Sequence, residues 1–372
     1  MIQKLKIFTV NIIAGANVAI VAVMLMMGYA YLANPIQFSM FSAQGIFFPL
    51  SVFINLLFLF FWLVFSKRRV LIPIIGFICA YFPLRTYMPL NLSRIAPPLG
   101  SFKVMSYNVR AFAGSEGIDE SAHKRVFEYI LQENPDILCL QEDMGYCRRR
   151  IAARLDSLYP YTSHLMYNKG RTNGQGVYSR YPILSKERIP YESVGNASYA
   201  YLLDVNGDTV LLINNHLETN HFSTDEKERY GEIFRSGLKG NVSTDTVRRE
   251  SKFIMAKLAE AAQLRAPQAD SVHAYIESHH HYPTIVCGDF NDSPLSYARH
   301  TIAKGLTDCY VASGLGLGLS YIQNGFFVRI DNILCSSDFT PFQCRVDSRI
   351  DASDHYPILC WLKMKPKPQK SR

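Results

Sequence analysis

Long apolar runs alternate with short charged segments over the first 90 residues. The runs lie near residues 8–33, 45–65 and 70–90. A helix needs about 20 apolar residues to cross a bilayer, so the first two runs are long enough. The third contains Pro73 and Pro83 and reaches this length only if the charged end of Arg85 extends to the interface. The pattern predicts about three transmembrane helices; the alternative is two helices followed by an interfacial segment.

Basic residues in this region predict the orientation of the helices. Residues 1–100 contain no Asp or Glu, and their basic residues include Lys4, Lys6 and a cluster at 67–69. Because positively charged segments tend to remain in the cytoplasm, the N-terminus and this cluster are both expected there. With three spans the rest of the chain lies outside the cytoplasm, whereas with two it lies inside. We therefore predict a multi-pass protein of the cell membrane whose larger domain is extracytoplasmic.

A linker separates the apolar region from the rest of the chain. Residues 91–100 contain two prolines and a glycine, a composition typical of connecting segments. Beyond them, strand-like runs mix with helical periodicity, and two β-rich runs flank Asn206 and Gly207. This pair favours a type I′ turn, so the runs are expected to form an antiparallel hairpin. The mixture predicts an α/β domain with mixed sheets at residues 101–362.

Helical periodicity is clearest in three segments of this domain. They are residues 119–133, 146–158 and 245–278. Pro267 is expected to start a new helix within the last segment, because proline favours the first turn of a helix.

The net charge of +8 is unevenly distributed. The first 100 residues contribute +7 and the basic tail at residues 363–372 contributes +5, so residues 101–362 carry −4. A domain that binds duplex nucleic acid usually presents a basic face, and this charge gives no support for one. The tail is expected to be a disordered end or a contact with anionic lipid head groups. The eight cysteines include no C-x-x-C pair, so neither a zinc ribbon nor a redox motif is indicated.

Polar side chains occur where apolar, strand-like runs end. They are four carboxylates, two amides and two imidazoles: Glu142, Asp289, Asp331, Asp354, Asn108, Asn291, His216 and His355. Carboxylate and amide oxygens are hard ligands that suit Mg²⁺ or Mn²⁺. An imidazole can contact a phosphate or move a proton near neutral pH. Together these groups indicate metal-assisted hydrolysis of a phosphate ester.

Seven motifs occur along the domain in the order found in a known family. They are MSYNVR, ILCLQE, GVYSRYPI, NNHLE, VCGDFN, RIDNIL and SDHYPI. By these motifs, residues 102–362 resemble the endonuclease/exonuclease/phosphatase superfamily of DNase I-like, metal-dependent phosphohydrolases. The resemblance implies a four-layer α/β sandwich, in which two packed mixed β-sheets are flanked by helices. It also implies an enzyme that hydrolyses phosphoric esters with Mg²⁺ or Mn²⁺ as cofactor.

The resemblance assigns the metal site to three residues. Glu142 would bind the catalytic cation, Asn108 would lie beside it, and Asp354 would complete its coordination.

The resemblance assigns the other five residues to the substrate. Asp289 would orient or deprotonate the attacking water, and Asn291 would hold the phosphate. Asp331 would pair with His355, which would contact the scissile phosphate. His216 would be a second histidine on the phosphate side, as in the deoxyribonuclease, sphingomyelinase and inositol-phosphatase branches.

The sequence indicates the reaction more specifically than it indicates the substrate. A membrane-anchored phosphodiesterase or phosphatase acting on lipid head groups or small phosphoesters agrees best with the apolar runs and the negative domain. The alternative is an extracytoplasmic endo- or exonuclease, and the intact site disfavours a non-catalytic binding module. The implied partners are the lipid bilayer and a phosphoester, whether lipid, small molecule or nucleic acid; no obligate protein partner is evident. Residues 219–265 form an insertion relative to the family. It is expected to be a packed surface helix; the alternative is a lid or a membrane-facing element near the site.

Overall fold

The chain folds as an apolar helical region followed by a mixed α/β domain. The computed structural model describes residues 2–93, 95–114, 119, 121–167, 173–239, 243–323 and 325–366. The helices are α1 (Ile2–Gly28), α2 (Pro35–Ser42), α3 (Phe48–Phe65), α4 (Leu71–Cys79), α5 (Tyr81–Tyr87), α6 (Ala122–Glu133), α7 (Gly145–Leu158), α8 (Thr224–Leu238), α9 (Thr244–Ser278), α10 (Tyr297–Ile302) and α11 (Cys309–Ser313). The strands are β1 (Phe102–Asn108), β2 (Ile137–Gln141), β3 (Tyr161–Met166), β4 (Gly174–Ser179), β5 (Ile183–Arg188), β6 (Ala197–Val205), β7 (Asp208–His216), β8 (Thr284–Asp289), β9 (Thr307–Asp308), β10 (Tyr321–Gln323), β11 (Phe326–Val328), β12 (Asp331–Cys335), β13 (Phe339–Val346) and β14 (Ile358–Met364).

Most of the strands belong to two mixed six-stranded sheets. The first has the order β13-β14-β1-β2-β4-β3, and the second has the order β5-β6-β7-β8-β12-β9. Each sheet contains one parallel pair, β1 with β2 and β7 with β8. Since parallel strands end at the same edge of a sheet, the residues that follow each of these pairs lie close together.

Apolar side chains fill the space between the sheets and cover their outer faces. Val104 and Cys139 of the first sheet pack in one cluster with Leu212, Cys287 and Ile333 of the second. Helices α6 and α7 pack on the outer face of the first sheet, and α9 and α10 pack on that of the second. This arrangement confirms the predicted four-layer α/β sandwich.

The predicted hairpin turn is also confirmed. β6 and β7 pair antiparallel on either side of Asn206 and Gly207. Their φ angles are 58° and 92°, the left-handed values that a type I′ turn requires at both central positions.

Two helical segments of the N-terminal region are long and apolar enough to cross a membrane. They are Gln3–Gly28 and Pro35–Phe65, and the second is interrupted by a short 3-10 turn at Ala43–Phe47. Both are mostly unburied within the protein, so their apolar surfaces are free to face lipid. This finding is weak support for a membrane anchor, because length and composition alone define it.

The third apolar run differs from the continuous helix predicted at residues 70–90. It forms two short helices, α4 and α5, that meet at Ala80. Pro83 has no backbone N–H to donate to the carbonyl of Cys79, and the hydroxyl of Tyr29 donates to that carbonyl instead at 2.7 Å. The proline therefore explains the break, and whether this run crosses the bilayer stays a prediction.

One end of the N-terminal helices meets the α/β domain. A Cβ on Gly28 would contact Phe48 and Pro83 at 3.0–3.1 Å, so α1, α3 and α5 come together there. The guanidinium of Arg329, in the domain, donates to the backbone carbonyls of Thr86 and Tyr87. The helical region is thus fixed to the domain by contacts beyond the linker.

Several predicted boundaries within the domain need correction. Pro267 does not start a helix but lies inside α9, where it and Gln263, the residue four positions earlier, are exposed. Water can therefore satisfy the carbonyl that loses its partner. The helix predicted at 119–133 begins at Ala122. Of the predicted tail, residues 363–364 belong to β14, and residues 367–372 lie outside the described residues.

The charged first half of the insertion forms helix α8, although its sequence shows little apolar periodicity. The side chain of Ser223 accepts a hydrogen bond from the backbone N–H of Glu226, and the Glu226 side chain accepts one from the backbone N–H of Ser223. This capping box satisfies two otherwise unpaired N–H groups at the start of the helix.

Candidate active site

The ends of neighbouring strands bring the predicted site residues to one edge of the two sheets. Asn108 ends β1 beside Gln141, which ends β2 and is followed by Glu142. In the second sheet, His216 at the end of β7 and Asp331 at the start of β12 both lie opposite Asp289 at the end of β8. Rigid strands in both sheets therefore position the site.

A glycine makes this convergence possible in the second sheet. Gly288 has a φ of 129°, and a Cβ at this position would lie 2.0 Å from the backbone oxygen of Asn215. Only glycine adopts this conformation and lets β8 approach β7 so closely. The next residue, Asp289, depends on this backbone for its position.

Asp289 lies at the centre of the site. Its Oδ2 accepts a hydrogen bond from Asn108 Nδ2 at 3.1 Å and lies 3.8 Å from His216 Nε2 and 3.7 Å from His355 Nε2. Its Oδ1 accepts from the backbone N–H of Asn291 at 2.8 Å. Burial, together with Asp331, raises the pKa of Asp289 to about 7 against the opposing effect of His355. This carboxyl can therefore exchange a proton near neutral pH.

His355 and Asp331 form a buried pair. His355 Nδ1 lies 2.9 Å from Asp331 Oδ2, and the hydroxyl of Ser320 accepts from the backbone N–H of Asp331 at 3.0 Å. Burial alone would lower the pKa of His355, but Asp331 and Asp289 outweigh it and raise the pKa to about 10. His355 is therefore a cation at neutral pH, and its Nε2 faces Asp289.

His216 differs from His355 in charge. Within the described residues, neither of its ring nitrogens has a hydrogen-bond partner, although the side chain is buried. Burial, and then the positive charge of His355, lower the pKa of His216 to about 3. The site therefore contains one charged and one neutral imidazole, and the unpartnered nitrogens of the neutral one remain available to a bound group.

Glu142, Asp354 and Asn108 form the oxygen-rich side of the site. Burial, and then the nearby charge of Asp354, raise the pKa of Glu142. A cation between these two carboxylates would relieve their repulsion, so the donor set fits a hard divalent ion. Asn108 Nδ2 donates to Glu142 Oε1 at 3.2 Å. For the amide oxygen of Asn108 to become a metal ligand, the amide would have to rotate toward the carboxylates.

A second group of possible metal ligands overlaps the site. One ligand atom from each of Asp289, Asp331 and His355 lies within 4.8 Å of the others. The hydrogen bond between Asp331 and His355 Nδ1 already accounts for this closeness. We therefore favour Glu142 and its neighbours as the metal side.

Seven of the eight predicted residues line one cavity of about 180 Å³. The eighth, Asp331, lies behind His355 and contacts its ring. The structure adds Tyr321, whose ring centroid lies 5.1 Å from that of His355, and Lys227 of the insertion. Sequence reasoning missed both, because neither residue belongs to a motif.

Apolar residues from outside the motifs also line the cavity. It includes Ala43 and Ile46 from the second candidate span, Leu258 from α9 and Phe326 from β11. The insertion and the N-terminal region therefore both reach the site, which the motifs alone do not reveal.

Comparisons with known proteins agree with this geometry. The model of the Endonuclease/Exonuclease/phosphatase family matches residues 105–355, and that of a domain of unknown function (DUF8431) matches residues 10–87. No curated protein sequence matches the chain.

Several solved structures are similar to this chain at low sequence identity. ANGEL2, described as a 2′,3′-cyclic phosphatase and bound to adenosine-2′,3′-vanadate, has a TM-score of 0.50 and 17% identity over 73% of this chain and 99% of that chain. The human Nocturnin catalytic domain with bound sulfate has a TM-score of 0.49 and 17% identity, over 73% of this chain and 96% of that chain. An endonuclease/exonuclease/phosphatase from Beutenbergia cavernae has a TM-score of 0.49 and 19% identity, over 73% and 74%.

The family match covers more than half of the chain and includes every predicted site residue. Two packed mixed sheets carry these residues to one cavity that has a hard-oxygen side and a buried histidine–aspartate pair. The chain belongs to the endonuclease/exonuclease/phosphatase family and is a metal-dependent hydrolase of phosphoric esters.

Proposed function

We propose that the protein is a membrane-anchored phosphodiesterase or phosphatase that uses Mg²⁺ or Mn²⁺ and acts on lipid head groups or small phosphoesters. One observation carries this proposal. Ala43 and Ile46, which belong to a candidate span, line the same cavity as Asp289 and His355. A phosphate bound by the catalytic residues would therefore lie next to the segment that enters the bilayer.

The metal-binding role is assigned to Glu142, Asp354 and Asn108. When bound there, a divalent cation supplies Lewis-acid stabilisation for the negative charge that develops on the phosphoryl oxygens. The raised pKa of Glu142 supports this assignment, because two partly buried carboxylates that repel each other favour the binding of a cation.

Proton transfer from the attacking water is assigned to Asp289. A general base works best when its pKa lies near the working pH, and the pKa of Asp289 is about 7. Asn108 and the backbone N–H of Asn291 hold both oxygens of this carboxylate in position. The base would therefore be oriented before substrate binds.

Stabilisation of the phosphate is assigned to the two histidines and Asn291. His355 is cationic and can donate from Nε2, while Asp331 fixes its ring through Nδ1. His216 is neutral and can donate one N–H from its unpartnered ring. Asn291 Nδ2 donates to the carbonyl of Leu217 at 2.9 Å, which leaves its second N–H for a phosphate oxygen.

Metal dependence tests this proposal. The full-length protein in detergent should hydrolyse bis(4-nitrophenyl) phosphate with Mg²⁺ or Mn²⁺, and a chelator should abolish turnover. Glu142→Gln should lower kcat by about 100-fold or more, since it removes a charge from the metal side. Glu232→Gln, on the exposed face of α8, is the matched control and should retain activity. Full activity in chelator or in Glu142→Gln would refute the proposal.

The extracytoplasmic side and the domain bounds are also part of the proposal. The membrane region would comprise residues 1–90, the linker 91–100, and the catalytic domain 101–362. Gly28, Phe48 and Pro83 meet at the end of the helical region that contacts the domain. This meeting point supports a three-pass arrangement, with Lys67 and its neighbours at the opposite end of the helices. A reporter active only outside the cytoplasm, fused after Arg372, should give signal. Signal only from a cytoplasmic reporter would overturn the third crossing.

A further inference from the structure

A second cavity, of about 390 Å³, adjoins the catalytic one. Three separate parts of the chain form most of it: the start of α3 with the turn before it, the insertion helices α8 and α9, and the hairpin of β10 and β11. Tyr87, at the end of α5, completes the lining. The assigned chemistry uses none of these parts.

The two cavities are adjacent and share part of their lining. Ile46, Leu258 and Phe326 line both of them. A molecule with its phosphate beside Asp289 and His355 would therefore reach the second cavity by passing these three side chains. Each of the three parts contributes one of the residues that line both cavities, so the fold determines where the two cavities meet.

The second cavity is suited to an apolar group. Ile233 and Ile254 of the insertion line it together with Phe47 and Leu50 of the membrane region. Glu250 is the one acidic residue of this lining within the described part of the chain. Its carboxylate lies 3.3 Å from Arg229 Nε and 3.2 Å from Arg249 Nε. This charge is thus already paired, and burial of apolar groups provides the attraction at this site.

The rim of the second cavity joins the membrane region. Leu50 is 58% exposed and belongs to the candidate span Pro35–Phe65, and Phe327 of the hairpin is 50% exposed. An apolar rim that continues into a spanning segment favours a lipid chain over a soluble ligand, because the chain can pass from the bilayer to the cavity without entering water.

Aromatic rings stabilise the wall between the insertion and the hairpin. The ring centroid of Phe326 lies 5.4 Å from that of Phe222 and 6.2 Å from that of Tyr230, and Phe222 and Tyr230 are 5.6 Å apart. Aromatic contacts of this kind add to the apolar burial. The insertion and the hairpin therefore form a preformed wall of the second cavity.

We propose that the second cavity holds one hydrocarbon chain of a lipid phosphoester whose phosphate occupies the catalytic cavity. This inference rests on the proposed function and adds to it the substrate class and the role of the insertion. The insertion and the hairpin act as a chain-binding element, and the start of α3 guides the chain from the bilayer.

Alkyl 4-nitrophenyl phosphodiesters with chains from ethyl to decyl test this proposal on the full-length protein in nanodiscs with Mg²⁺. Water attacks phosphorus, the bond to the nitrophenyl oxygen breaks, and the products are 4-nitrophenolate and an alkyl phosphate. Each buried methylene contributes about 0.8 kcal/mol, so kcat/KM should rise about fourfold per methylene until the cavity is full. The readout is the ratio of kcat/KM for the octyl diester to that for the ethyl diester.

Variants in the second cavity separate chain binding from partition into the nanodisc. Ser251 lines the cavity, and Ser251→Trp should lower the octyl-to-ethyl ratio at least tenfold by filling it. Ala256 lies on the same helix, is exposed and lines neither cavity, so Ala256→Trp should keep the wild-type ratio. Ile254→Asn, which adds a polar group without bulk, should also lower the ratio and replaces Ser251→Trp if that variant fails to fold.

The outcomes distinguish this inference from the proposed function. No metal-dependent hydrolysis of any diester would refute the proposed function. The second outcome is hydrolysis of the ethyl diester with the same octyl-to-ethyl ratio in Ser251→Trp, Ile254→Asn and Ala256→Trp. This result would refute the chain site and leave the proposed function standing. A ratio lowered in both cavity variants and kept in the control supports it.

Discussion

The two walls of the catalytic cavity come from regions of opposite sequence character. One wall consists of the polar residues that the motifs place at strand ends, such as Asp289 and His355. The other wall consists of apolar residues, including Ile46, Leu258 and Phe326, from segments without a motif. The polar wall lies in the four-layer sandwich, and the apolar wall lies in the membrane region, the insertion and a short hairpin.

This difference separates what determines the reaction from what selects the substrate. Metal binding and proton transfer require particular functional groups at fixed distances, so the polar wall has few acceptable sequences. An apolar wall requires only burial and shape, which many residues satisfy. The family fold therefore accounts for the chemistry, and the apolar lining is the part of the site that we propose selects the substrate.

Removal of the central carboxylate should produce the largest effect. Asp289→Asn keeps the size of the side chain but cannot accept a proton from water, so kcat should fall by about 10³- to 10⁴-fold. The assay is hydrolysis of bis(4-nitrophenyl) phosphate with Mg²⁺. Asp338→Asn, at an exposed turn, is the control and should retain activity. Loss of less than tenfold in Asp289→Asn would show that another group is the base.

The buried pair of the polar wall should behave as one unit. His355→Ala should lower kcat by about 10²- to 10³-fold, and Asp331→Ala by less, because Asp331 acts only through the imidazole. The double variant should then be little worse than His355→Ala alone. Losses that multiply in the double variant would show that Asp331 has a separate role.

The backbone beneath the polar wall should tolerate no side chain at Gly288. Gly288→Ala places a Cβ 2.0 Å from the carbonyl of Asn215 and should lower the free energy of unfolding by about 3 kcal/mol. Gly207→Ala is the matched control, since Gly207 also has positive φ but faces open space, and it should cost about 1 kcal/mol. Equal losses in chemical denaturation would contradict the close approach of β7 and β8.

The contact that joins the two regions should have a smaller effect. Arg329 is buried and donates to the carbonyl of Leu317 at 2.7 Å as well as to Thr86 and Tyr87. Arg329→Met leaves these carbonyls without that donor and should lower the free energy of unfolding by about 2 kcal/mol. Thermal unfolding in detergent would measure this loss of stability, and Arg235→Met, at an exposed position, is the control. No difference between the two variants would show that the regions are not coupled there.

The motifs predicted residues that the structure brings to one cavity, because the chemistry restricts residue type and order; the roles of these residues stay predictions. The carboxylate of Asp331 and the imidazole of His355 lie 24 positions apart, and the motifs that contain them already implied the pair. Asn206 and Gly207 predicted the hairpin for a similar reason, since few residues adopt positive φ at both positions.

The parts that the sequence did not predict depend on tertiary contacts. Tyr321 and Lys227 join the site only because a short hairpin and the insertion fold over it. Helix α8 depends on the capping box at Ser223 and Glu226 more than on apolar periodicity. The break in the third apolar run reflects Pro83, for which the Tyr29 hydroxyl from another helix compensates.

Substrate preference at a membrane tests the central claim most directly. The full-length protein would be reconstituted in vesicles with Mg²⁺ and offered either a head-group phosphodiester lipid in the same bilayer or plasmid DNA in solution. The account predicts chelator-sensitive release of phosphate-containing head group or lipid product, lost in Glu142→Gln, at a rate well above any cleavage of DNA. Efficient cleavage of DNA with no turnover of lipid would contradict it.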